Sequence, residues 1–188
     1  MLIAPSPGGA GRRDREFLHG INVGKAKRVA MADLRRELEI AGFEGVQTLL
    51  QSGNVVFESS KLAKAAAKAS IEGVLEKRLG VRAQVTVLTL AEVESALTDG
   101  PFARGVKDPS KALVTFYSAS ADAKLLAPLA KQDFGRETLV VGKSCAWLEC
   151  PDGILGGKLW KSVDRALGDH GTARNVATLT KLVALART

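Results

Sequence analysis

Segments with strand and helix periodicity follow one another as βαββαβ over residues 16–100. A Gly- and Pro-rich stretch interrupts them at 101–111, and a second run ordered βαββα fills 112–188. Together these observations predict an α+β fold of two tandem ferredoxin-like (βαββαβ-type) halves, with antiparallel sheets and a C-terminal helix. Residues 1–15, with Pro5, Pro7, Gly8, Gly9 and Gly11 ahead of a charge cluster, read as a disordered N-terminal tail.

The first half opens on a short strand, Glu16 to Val23, that runs into a glycine-bounded turn. Met31, Leu34, Leu38 and Ala41 recur at helical spacing, and Gly42 supplies the left-handed stop. The runs Gln47–Gln51 and Val55–Glu58 flank Ser52-Gly53-Asn54 and predict a hairpin. The Ala-, Lys- and Leu-rich segment from Lys61 to Leu79 is a helix by propensity, ended by Gly80. Val81 to Leu88 turns to strand character. Thr89-Leu-Ala-Glu92 matches a capping box and opens a helix with Leu90, Val93 and Leu97 on one face.

Gly100, Pro101, Gly105 and Pro109 mark the stretch 101–111 as a linker. Beyond it the reading is a strand at Ala112–Tyr117, a helix at Asp122–Lys131 and strands at Glu137–Val141 and Ala146–Cys150. A helix from Leu159 to Leu167 stops at Gly168. Thr172 is placed to cap a last helix whose Val176, Leu179, Leu182, Val183 and Ala186 form one stripe.

Composition narrows the function classes. Hydrophobic residues are 46% and charged residues 25% of the chain, values ordinary for a folded globular protein. No apolar run approaches the roughly 20 residues needed to span a bilayer, so no membrane association is expected. The N-terminus lacks the basic segment and long apolar stretch of a secretory signal, and a cytoplasmic location is expected. Cys145 and Cys150 lie five residues apart in one strand, roughly 16 Å by strand rise and on opposite faces, too far for a disulfide. They read as free thiols in a reducing compartment. His19 and His170 stand apart from both, so no zinc pattern and no other metal or cofactor site is expected.

The net charge of +7 is unevenly spread. Lys158 to Thr188 holds six basic and two acidic residues, a balance of +4, and Lys25, Lys27 and Arg28 add three positive charges to one loop. Arg12, Arg13 and Arg15 are nearly cancelled by Asp14 and Glu16. Such clustering favours anionic partners.

The chain has three asparagines, and all fall in turns or caps: Asn22 in Gly20-Ile-Asn-Val-Gly24, Asn54 in the hairpin turn, and Asn175 in Thr172-Ala-Arg-Asn. Short amides serve such places structurally, by bonding nearby backbone or tolerating left-handed φ. The same positions also define a candidate ligand site. Gly24 and Lys25 follow Asn22, and Arg174, Thr178 and Lys181 sit at i, i+4 and i+7 if the last helix begins at Thr172. Its N-terminus would attract an anion. The candidate ligand-binding set is therefore Asn22, Gly24, Lys25, Asn54, Thr172, Arg174, Asn175 and Lys181. Gly-x-Asn-x-Gly is neither a P-loop nor a dinucleotide fingerprint, which need longer glycine spacings. No nucleophile–base pairing and no carboxylate pair stand out, so no catalytic residue is named. Trp147 and Trp160 are expected in the core of the second half.

Gly20-Ile-Asn-Val-Gly24, Met31-Ala-Asp-Leu34, Gly42-Phe43, Val46, Thr48 and Gln51-Ser-Gly-Asn-Val-Val-Phe57 resemble the uncharacterised bacterial family called domain of unknown function 1697. Thr172-Ala-Arg-Asn175, with Thr178, Lys181 and Leu182, is similar to that family's second signature. The resemblance runs from about Phe17 to Ala186 and implies a duplicated ferredoxin-like fold in a cytoplasmic protein; it implies no activity. His19 stands where the family usually has Arg, and Val176 where it often has Trp.

The expected function is a binding protein for an anionic ligand, a phosphate-bearing metabolite or nucleic acid, at the basic Asn- and Gly-lined site. An enzyme acting on a small anionic metabolite is the alternative reading, and a homodimer acting as a structural or interaction protein is the third.

Overall fold

The computed structural model describes residues 15–19, 29–50, 53–58 and 63–188. It divides into two units, Met1–Val93 with Leu182–Thr188, and Glu94–Lys181. The chain mixes helix and sheet, and each of its two four-stranded sheets is antiparallel throughout.

In the first unit the elements are β1 (Arg15–His19), α1 (Met31–Ile40), β2 (Glu44–Leu49), β3 (Asn54–Glu58), α2 (Lys64–Leu79) and β4 (Thr86–Thr89). The strand order is β2-β3-β1-β4. Met31, Leu34 and Leu38 of α1 are buried, as their spacing predicts, and Gly42 at φ +91° carries the chain out of the helix. The core joins that stripe to Ala67, Ile71 and Leu75 of α2 and to Val55 and Phe57 of β3, with Phe43 set edge-on to Phe57 at 5.0 Å. The expected strand from Val81 begins only at Thr86. The N–H of Val85 donates to Glu72 Oε1 at 3.0 Å.

The capping box is formed as the sequence predicts. The Glu92 N–H donates to Thr89 Oγ1 at 2.7 Å, and the Thr89 N–H donates to Glu92 Oε2 at 2.8 Å, starting α3 (Leu90–Thr98). Lys64 Nζ, at the start of α2, also reaches Glu92 Oε2 at 2.6 Å.

The second unit contains β5 (Ala112–Tyr117), α4 (Ala123–Leu126), β6 (Thr138–Val141), β7 (Cys145–Glu149), α5 (Lys158–Leu167), β8 (Gly171–Asn175) and the start of α6 (Val176–Ala186), in the order β6-β7-β5-β8. All six residues of β5 are buried. Leu113 and Tyr117 join Ala146, Leu148, Leu159 and Val163 on one side. By strand alternation Val114, Phe116 and Trp147 occupy the other, where the Trp147 indole donates to the Ala96 carbonyl at 2.8 Å.

Three expectations differ from the structure here. Residues 101–111, expected as a linker, fall within the second unit: Gly100–Arg104 make a 3-10 turn that buries Phe102. A Cβ on Gly100 would lie 2.9 Å from the Trp147 ring. The helix expected over Asp122–Lys131 is α only at Ala123–Leu126, flanked by 3-10 turns, because Pro128 has no N–H to extend it. The segment from Gly171 to Asn175, expected as loop and helix start, is an edge strand, which completes the second run as βαββαβ.

Replacing Thr89 by Ala removes one cap bond of α3 and is expected to cost about 1 kcal/mol in urea unfolding. A Thr89→Ala, Glu92→Ala double mutant should lose less than the sum of the single changes, because the two side chains cap each other.

Candidate functional site

The segment Gly171–Asn175 reads poorly as a strand, yet it pairs with β5 over its whole length, Tyr117 opposite Gly171 and Leu113 opposite Asn175. Gly171 makes this possible, since a Cβ there would sit 2.8 Å from the Phe116 carbonyl oxygen. Pairing leaves Asn175 as the last strand residue. Its Oδ1 then accepts the N–H of Thr178 at 2.9 Å, three residues into α6. Thr172 therefore does not cap the last helix. It lies in β8 opposite Phe116, and Asn175 is the cap. The Ala177 N–H donates to the Pro109 carbonyl, so two of the first donors of α6 have partners within the chain.

Arg174 is likewise in the strand, opposite Val114, and not on the helix face that the i, i+4, i+7 spacing assumed. Alternation places it on the same side of the sheet as Thr172, at the end of the cross-strand row Val140, Trp147, Val114, Arg174. Its guanidinium is largely withdrawn from water and donates to the Ala173 carbonyl at 2.7 Å. Desolvation draws its pKa down from 12.5 to about 10, which leaves it charged at neutral pH. Lys181 is exposed on the outer face of α6, opposite the buried Leu179, Leu182 and Val183.

Thr172, Arg174 and Asn175 thus form one strand-to-helix junction in the second unit. Asn54 belongs to the first unit. It is 0% exposed, and its Nδ2 donates to the Leu49 carbonyl across the β2–β3 hairpin at 3.1 Å. That bond accounts for an amide at the turn in structural terms. Asn22, Gly24 and Lys25 lie outside the described residues.

Cys145 and Cys150 are free and buried, and burial pushes their pKa values up to about 11 and about 12. Neither is a nucleophile at neutral pH. His170 is exposed, with Nδ1 3.6 Å from Asp122 Oδ1. Among the described residues no group of three His, Cys, Asp or Glu side chains could hold a metal ion. No helix among them is long and apolar enough to cross a membrane. Glu137, just ahead of β6, is a functional group that sequence reasoning missed. Its Oε2 accepts the N–H groups of Lys158 and Leu159 and so caps α5 from 21 residues away, a pairing no local pattern announces.

Residues 16–147 match the family described as "Protein of unknown function (DUF1697)". The chain belongs to this family. The matched stretch ends before β8, so the junction at Arg174 lies beyond it. This DUF1697 chain is also similar to a solved structure, the conserved bacterial protein SP0830 from Streptococcus pneumoniae. The two are 26% identical with a TM-score of 0.74, over 92% of this chain and 98% of that one. No curated protein matches the sequence.

The cap at Asn175 yields a direct check. Asn175→Ala should destabilise the protein by about 1 kcal/mol in urea unfolding, while Asn175→Asp, which keeps the acceptor, should stay close to wild type.

Proposed function

We propose that this protein binds an anionic, phosphate-bearing ligand through Arg174 at the β8–α6 junction. The observation that carries the reading is the place of the Arg174 guanidinium, largely withdrawn from water at the strand-to-helix junction with Nη1 bonded to the Ala173 carbonyl. An anion beside a guanidinium withdrawn from water makes charge-assisted hydrogen bonds with it, stronger than those between neutral groups. Arginine suits this role because its planar fork meets two phosphate oxygens at once. Thr172 lies on the same side of the sheet and offers a hydroxyl to the same ligand.

Two finer readings accompany this. We infer that each unit is a ferredoxin-like half. In support, each sheet sets its first and third strands side by side at the centre, with the second and fourth at the edges. A cytoplasmic location is inferred from the two buried thiols that remain free.

Isothermal titration of the full chain with pyrophosphate at low ionic strength tests the binding claim. Arg174→Met should weaken binding by about tenfold or more, the loss of a charge-assisted hydrogen-bonded contact. The share of affinity that depends on Arg174 should stay level through neutral pH and fall as pH rises through about 10, since deprotonation removes the charge the anion meets. A small metabolite should give a shallow salt dependence, whereas nucleic acid contacting several phosphates should give a log–log slope of about −0.9 per phosphate contacted. No binding of pyrophosphate, inorganic phosphate or single-stranded RNA, or binding that Arg174→Met leaves intact, would refute the proposal.

A further inference from the structure

Each sheet has two edge strands, and three of the four are protected. β2 carries a bulge between Glu44 and Gln47 and presents the exposed Glu44. In β4 Val87, Leu88 and Thr89 are buried, and β8 is half-buried along its length. β6 is different. Its four residues, Thr138, Leu139, Val140 and Val141, include no charge and no proline, and its register against β7 runs without a shift. Thr138 and Val140 are exposed, Val140 by 43%.

The hydrogen-bond parity of the strand shows what its open side offers. The Gly142 N–H donates to the Cys145 carbonyl, which makes these two a bonded pair at the β6–β7 turn. Bonded and non-bonded pairs alternate along an antiparallel ladder. Val140 with Trp147 and Thr138 with Glu149 are then bonded pairs, and both turn their backbone groups toward β7. Leu139 and Val141 turn theirs outward, and no described residue bonds them there.

We propose that β6 pairs antiparallel with β6 of a second copy of this chain, about a two-fold axis through Val140, joining two four-stranded sheets into one of eight strands. In this register Leu139 faces the partner's Val141 and exchanges N–H and C=O bonds with it, and the symmetry repeats the exchange. Val140 meets the partner's Val140 as a non-bonded pair, the arrangement with the closest side chains. Centring the pair on Leu139 would set Val140 against Thr138, and centring it on Val141 would set Val140 against Gly142. The Val140 axis is the register that stacks exposed valine on valine. So short an edge gives a small interface and hence a reversible dimer that grows with concentration. This inference is independent of the anion site, which lies at the opposite edge of the same sheet.

Sedimentation velocity over a concentration series, with oxidative cross-linking, tests it on the full chain. Wild type should shift from monomer to dimer as concentration rises. Val140→Lys, which sets like charges across the axis at an exposed site, should raise the dissociation constant about tenfold or more while the far-ultraviolet circular dichroism stays unchanged. Val140→Cys should form a disulfide-linked dimer, because a non-bonded pair holds Cα atoms about 4.5 Å apart. Thr138→Cys, two residues off the axis, should not cross-link. The proposal fails if wild type stays monomeric at every concentration, if Val140→Lys leaves the dimer as strong, or if Thr138→Cys cross-links as readily as Val140→Cys.

Discussion

The pairing of β8 with β5 sets most of what is distinctive about the second unit. β5 is buried along its full length, so its backbone groups need a strand on either side, with β7 supplying one ladder and Gly171–Asn175 the other. Once β8 is in place, its register fixes three things. Gly171 meets the Phe116 carbonyl where no side chain fits, Arg174 lies across from Val114, and Asn175 reaches the end of the ladder with its amide free to start α6. The cap, the helix start and the withdrawn guanidinium follow from one strand alignment.

Polar groups inside the fold are mostly tied to backbone. The Trp147 indole donates to Ala96, the Asn54 amide donates to Leu49, and the Glu137 carboxylate accepts from the first turn of α5. Each of these bonds avoids the cost of a buried group without a partner. The buried thiols act as small apolar side chains, with pKa values pushed upward. The Arg174 guanidinium is tied to backbone as well, at the Ala173 carbonyl. Its burial works against the charge it carries at neutral pH, and residues that break a local rule in this way tend to mark functional places.

Much of the architecture was legible because it rests on local signals. The stripe Met31, Leu34, Leu38, the stop at Gly42, the capping box at Thr89 and Glu92, and the opposed faces of Cys145 and Cys150 are patterns of period, turn and cap that need no distant partner. The errors came where tertiary contacts decide. Gly171-Thr-Ala-Arg-Asn has no alternation of apolar residues, and both Thr172 and Asn175 are good cap residues. β5 makes the choice between them, and no local rule does. Of the candidate residues, Thr172, Arg174 and Asn175 lie at a strand end, where the local pattern predicts a helix turn. Asn54 proves to be a hairpin bond.

The claim that β8 pairing holds Arg174 out of water is tested most directly by nuclear magnetic resonance titration of the arginine side chains in uniformly labelled protein. The account predicts that the Arg174 guanidinium titrates near pH 10 in the free protein and moves back toward the ordinary arginine value when pyrophosphate is added. An Arg174 that titrates with the exposed arginines, unchanged by the anion, would contradict it.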